Sequence, residues 1–156
     1  MRNATPDRAN VIASPTLIFA AVLVLGFGLD MIWPAAFLPE GWSLSLGLIA
    51  IFAALNIKLF AAREMVRAKT NLNIRKPAND IATSGPYSVS RNPLYIGMIL
   101  LNIGIGCFVN SLWIFLLSAG LAATLQKGVI EPEEVYLEQK FGDKYLRYKA
   151  KVRRWI

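Results

Sequence analysis

Apolar residues along the chain gather into four runs. The first, Ile12 to Leu29, would rise roughly 27 Å as a helix, close to the hydrocarbon thickness of a bilayer. The second, Trp42 to Ala62, is broken only by Asn56 and Lys58, and Lys58 stands about a turn from the basic end, where its ammonium can snorkel to the surface. The third and fourth, Leu94 to Val109 and Leu112 to Leu125, are shorter and are separated only by Asn110 and Ser111, the spacing of a helical hairpin that either spans or re-enters. Gly97 and Gly104 share one helix face, while Ser118, Ala119, Ala122 and Ala123 are small, so these two helices are expected to approach each other closely. From Glu133 onward Leu137, Phe141, Tyr145 and Tyr148 recur at helical spacing and predict one further helix with an aromatic face. The expected fold is all-α and polytopic, about four transmembrane helices plus a cytoplasmic C-terminal helix. It forms a single domain: two spans in 1–62, a polar loop in 63–93, the hairpin in 94–125 and the C-terminal helix in 126–156.

Composition agrees with the pattern. The chain is 55% hydrophobic and only 17% charged, with a mean hydropathy of +0.44, which excludes intrinsic disorder and argues against a water-soluble domain. A single cysteine, Cys107, excludes a disulfide scaffold and is expected in the core. With no histidine, His-based triads and His-rich zinc sites are removed, and no metal is expected.

The net charge of +7 changes the picture only through its placement. All Lys and Arg except Lys58 lie before the first run, between Arg63 and Arg91, or after the fourth run, whereas the connection Trp33 to Gly41 and the Asn110, Ser111 turn contain none. The positive-inside rule then puts both termini and the long loop in the cytoplasm, at the inner membrane if the source is bacterial. Anionic headgroups, not nucleic acid, are the expected counter-charge. Trp33, Trp42 and Trp113 fall at the opposite interface, where indoles anchor. Asp30, Met31 and Ile32 make a poor cleavage site, so the first helix is expected to be retained.

The informative polar residues are all on the basic side. Gly85 and Pro86 impose a turn before Tyr87, and Pro93 suits the first turn of the third helix, leaving Arg91 and Asn92 beside free N–H groups that favour an anion. Taken alone, Arg91 is equally readable as an interfacial anchor. Glu131, Glu133 and Glu134 crowd the end of the fourth run, which suits either a cationic ligand or a solvated helix N-terminus.

In order and spacing, Gly85-Pro86-Tyr87, Arg91-Asn92-Pro93-x-Tyr95, the hairpin, Glu133-Glu134-x-x-Leu137, Phe141-Gly142-x-x-Tyr145-x-x-Tyr148 and Val152-x-Arg154 resemble the isoprenylcysteine carboxyl methyltransferase-like and phospholipid methyltransferase group of membrane enzymes. The likeness covers Thr83 to Ile156, and Asn92 stands where that group often has histidine. It implies an S-adenosylmethionine pocket with Gly85, Pro86, Tyr87, Arg91, Asn92, Pro93 and Tyr95 on one side and Glu133 and Glu134 on the other. Arg91 would orient cofactor or acceptor, and Glu134 is the one candidate base. The implied acceptor is a lipophilic, membrane-dissolved molecule. Gly128 to Pro132 lacks the arginine that prenylcysteine enzymes often carry before the Glu pair, which weakens the case for a carboxylate acceptor. Two other classes fit the apolar pattern: a membrane reductase using a nicotinamide cofactor, although the chain has no Gly-x-Gly-x-x-Gly fingerprint, and a small transporter or scaffold.

The charge distribution yields one direct expectation. Reporter fusions at either terminus, or inserted near Lys76, should all report a cytoplasmic position; an exported signal from any of the three would break the topology.

Overall fold

The computed structural model describes residues 9–39, 41–71 and 76–156. Arg2, Arg8 and Arg75, counted above among the basic flanks, lie outside the described residues. Ser14 caps α1 (Pro15–Ile32), its Oγ accepting from Leu17 N, and Pro15 supplies the preset φ of a first helical residue. The helix runs three residues past Leu29 and so carries Asp30 at its far end, where Ser111 Oγ donates to the carboxylate at 2.8 Å.

Gly41, at φ +84°, starts α2 (Trp42–Arg67). At 26 residues this helix is longer than a bilayer core needs, roughly 39 Å, so its last turns carry Arg63, Glu64 and Arg67 beyond the apolar zone. After the loop come α3 (Pro93–Phe108) and α4 (Leu112–Leu125). Asn110, in the left-handed region at φ +53°, makes their turn. Its Oδ1 accepts from Phe37 N and Leu38 N, and its Nδ2 donates to Leu38 O at 3.1 Å, which ties the hairpin to the α1–α2 connection. At the same end Trp113 Nε1 donates to Trp33 O at 2.7 Å.

Packing corrects one expectation. Gly97 and Gly104 face α2, not α4: a Cβ on Gly97 would meet Lys58 and Ala54 O, and one on Gly104 would meet Ile51. The small residue that brings α3 onto α4 is Gly106, set against the backbone of Phe115. Ser118 contributes by accepting from Asn102 Nδ2 at 2.9 Å. Cys107 is buried, as expected.

The C-terminal region departs more from expectation. Instead of ending at Leu125, α4 runs without a break through a wide π turn, Gln126–Ile130, into α5 (Glu131–Phe141). Pro132 explains the widening: it has no N–H to give to Gly128 O, and its ring would crowd that carbonyl in a regular turn. Gly128 O accepts instead from Ile12 N at 3.1 Å. The rod then stops at Gly142, φ +51°, and α6 (Asp143–Lys151) leaves in a new direction, so the single C-terminal helix is two.

Among the described residues no strand forms, and Pro15–Ile32, Trp42–Arg67 and Leu112–Phe141 are each long and apolar enough to cross a membrane, with Pro93–Phe108 apolar but shorter. Large apolar side chains such as Val24, Ile49 and Phe52 point outward, as an apolar solvent permits. Both ends of the described chain and the long loop sit at one end of the bundle.

The α2–α3 contact is closest at Gly47, where an added Cβ would lie 2.5 Å from backbone atoms of Phe108, whereas nothing lies within 4 Å of one on Gly120. Gly47→Ala should therefore cost about 1–3 kcal/mol by forcing the helices apart. Gly120→Ala should be neutral or slightly stabilising. Thermal unfolding in detergent measures both.

Candidate active site

The site forms where the long loop meets α5 and α6. Gly85–Ser88 is a single 3-10 turn. Gly85 has φ +57°, and a Cβ there would lie 2.8 Å from Glu64 Cγ, so both its backbone and its neighbour favour glycine. Glu64, at the end of α2, accepts from Ser84 Oγ at 2.6 Å and from Arg67 at 2.7 Å, pinning the turn to the bundle. Those bonds hold its carboxyl below the usual range, the Ser84 bond most. The turn delivers Tyr87 inward. Tyr148 Oη donates to Tyr87 O at 2.7 Å, and burial pushes both phenols up, so both stay protonated at neutral pH.

Arg91 and Asn92 follow at the start of α3. Arg91 Nη2 lies 3.1 Å from Glu134 Oε1, and the two side chains are only 8% and 6% exposed, so this is a buried ion pair. Arg154 reaches the same carboxylate from the C-terminal end, Nε to Oε1 at 3.1 Å and Nη2 to Oε2 at 2.9 Å. Two positive charges therefore flank Glu134. The other two donors of Arg91, Nε and Nη1, are buried without an acceptor. Tyr95 Oη donates to Glu133 Oε2 at 2.9 Å. Tyr136 Oη, on α5, accepts from Ala78 N at 3.1 Å and so closes the loop over the site. On the outer rim, hydrogen bonding from Lys144 holds the Asp80 carboxyl below its usual range.

These groups enclose a cavity of about 690 Å³, its mouth included, lined by Tyr87, Arg91, Asn92, Glu133 and Glu134, by Tyr136, Tyr145 and Tyr148, and at the rim by Lys76 and Asp80. A smaller adjoining space shares Arg91 and Glu133 and extends to Leu94 and Tyr95. The structure thus brings five of the anticipated residues, Tyr87, Arg91, Asn92, Glu133 and Glu134, to one hollow and Tyr95 to the space adjoining it. Gly85, Pro86 and Pro93 are not on its wall; they shape the backbone that presents the others. Leu137, Tyr145 and Tyr148 of the anticipated aromatic face do reach it, and Phe141 does not. Lys76, Asp80 and Tyr136 were not anticipated, and nothing in their spacing marks them. Arg154 had a signal, since the Val152-x-Arg154 ending is part of the pattern.

The described residues thus form a bundle of apolar helices, three of them long enough to cross a membrane, with a polar and aromatic hollow at one end. Residues 42–144 match the phospholipid methyltransferase family, and the chain belongs to it. The family points to a membrane methyltransferase. An uncharacterized protein of Haemophilus influenzae is 70% identical over 27 residues, 17% of this chain and 43% of that protein. The cobalt-zinc-cadmium resistance protein CzcN of Cupriavidus metallidurans is 29% identical over 128 residues, 82% of this chain and 53% of that protein. The chain spans about half the length of these relatives. No solved structure matches it.

The buried pair makes Glu134 a structural group as well as a candidate site residue. Glu134→Gln removes the charge facing both guanidinium groups and should lower stability by about 3 kcal/mol. Glu131, which is partly exposed, should tolerate the same change with a clearly smaller loss. Melting temperatures of the two variants give the comparison.

Proposed function

We propose that the protein transfers a methyl group from S-adenosylmethionine to a lipophilic, membrane-dissolved acceptor, at the cytoplasmic end of the bundle. The observation that carries this reading is the pair of unpartnered donors on Arg91 beside an aromatic and acidic wall. Each buried donor without an acceptor costs about 1–3 kcal/mol, a cost that a ligand carboxylate removes. The rest of the wall fits the same molecule. Glu133 suits an ammonium or ribose hydroxyls, and the faces of Tyr87, Tyr145 and Tyr148 suit a sulfonium.

The cofactor, when bound, supplies an electrophilic methyl on a cationic sulfur that departs as a neutral thioether. The chain's own residues need no covalent nucleophile. Arg91 orients a carboxylate, the tyrosines exclude water, and Gly85, Pro86, Asn92 and Pro93 hold the loop that aims them. An acceptor that carries a proton must lose it. Glu133 suits that role better than Glu134, because both Glu134 oxygens are already engaged by arginine. The acceptor reaches the site past Leu94 and Tyr95, where the smaller space opens between the end of α2 and the start of α3. The exposed Lys144, Arg147 and Lys151 on α6 face anionic headgroups.

Calorimetric titration of the purified protein with S-adenosylmethionine and with NADPH tests the class. Binding of the first alone supports a methyltransferase, binding of the second alone a reductase, and binding of neither a transporter or scaffold. Arg91→Lys then tests the site. It keeps the charge but loses the planar fork, so S-adenosylmethionine affinity should fall about tenfold with melting temperature nearly unchanged. Full retention would make Arg91 an interfacial anchor.

A further inference from the structure

After α6 the backbone becomes extended at Val152 and returns across the site as a short strap. Arg153 pairs with Ser90 in an isolated parallel bridge, and its carbonyl accepts from Arg91 N at 3.0 Å. The Arg154 carbonyl accepts from Asn92 Nδ2 at 3.0 Å and from Ser90 Oγ at 3.2 Å. Trp155 Nε1 donates to Gln126 Oε1 at 2.9 Å. The strap is thus laced to residues 90–92 on one side and to the π turn on the other. Between those lacings the Arg154 side chain forks onto Glu134, with its third nitrogen 3.4 Å from Glu131 Oε1.

We propose that Arg154 is a positioning residue: held by the strap, it fixes the Glu134 carboxylate, which in turn fixes Arg91 on the cavity wall with its buried Nε and Nη1 left without an acceptor. Arg154 is not on the cavity wall, so it acts through Glu134. Arg91 meets Glu134 through one nitrogen only, and a carboxylate turns easily about its last torsion. A single contact of that kind leaves the guanidinium free to pivot. The two parallel bonds from Arg154 remove the rotation, because a planar fork matches a carboxylate in one orientation. Asn92 belongs to the same device, its amide nitrogen being spent on the strap carbonyl. What Arg91 binds rests on the methyltransferase reading; the geometry that holds Arg91 does not.

The test uses the full chain in detergent with 15N-labelled arginine, the Arg91 Nε–H resonance being assigned by its loss in R91K. In the wild type this proton should exchange slowly with solvent. In R154Q its exchange should quicken at least tenfold. R154K, which restores charge but not the fork, should leave it quickened and serves as the reading if R154Q fails to fold. An unchanged Arg91 signal in either variant overturns the proposal, whether or not any ligand binds. The second arm is a cycle of S-adenosylmethionine affinities. R154K or R154Q should lose about tenfold, and combination with R91K should be no worse than the poorer single variant. Losses that multiply would mean that Arg154 acts independently of Arg91 and would overturn the proposal. If the wild type does not bind S-adenosylmethionine while Arg91 still responds to R154Q, the methyltransferase reading fails and the positioning role stands.

Discussion

One carboxylate holds the loop-bearing end of the bundle together. Glu134 accepts from Arg91 of the loop and from Arg154 of the C-terminal strap, so three segments far apart in the chain converge on two oxygen atoms. Burying an ion pair is rarely favourable by Coulomb attraction alone. Here the compensation is dense, since the surrounding backbone groups are paired as well: Arg91 N to Arg153 O, and Tyr95 N and Ile96 N to Asn92 O. Loop, rod and strap can therefore take this arrangement only together.

The opposite end of the bundle is held by side-chain hydrogen bonds, one of them to the Asp30 carboxylate. An Asn110 side chain closes the turn by bonding the α1–α2 connection, and Ser111 bonds Asp30. Within the bundle, Asn102 Nδ2 is shared between Ile114 O and Ser118 Oγ. In a medium that offers few hydrogen-bond partners, such side chains are stable only if the protein supplies the partner. One end is thus knit by side-chain hydrogen bonds and the other by a buried ion pair.

The spans were legible because bilayer thickness dictates a run length, and all four runs became helices. Helix partners were less so. Gly97 and Gly104 do mark a close approach, but a stripe of glycines says how near a neighbour comes, not which neighbour, and the partner proved to be α2. The single C-terminal helix was misread for a related reason, because the spacing of Leu137, Phe141, Tyr145 and Tyr148 continues through Gly142 as though the axis did. At the site, Tyr87, Arg91, Asn92, Tyr95, Glu133 and Glu134 were readable from turn chemistry and from the family pattern. Lys76, Asp80 and Tyr136 arrive through tertiary folding of the loop and carry no local mark.

The π turn at Gln126–Ile130 has a consequence for what the segment tolerates. A turn of this kind completes 360° with about one residue more than an α turn, so its residues each carry less than the roughly 100° of a regular α-helix. The extra residue is therefore absorbed within the turn, and Glu133 and Glu134 keep nearly the azimuth that an unbroken α rod one residue shorter would give them. Deleting one position between Gln126 and Pro132 would remove that slack, and the acidic pair could then keep its direction toward both arginines only through a regular α turn, which Pro132 opposes. Substitutions in this stretch alter packing by degrees, whereas shortening it by one sets a regular turn against a proline.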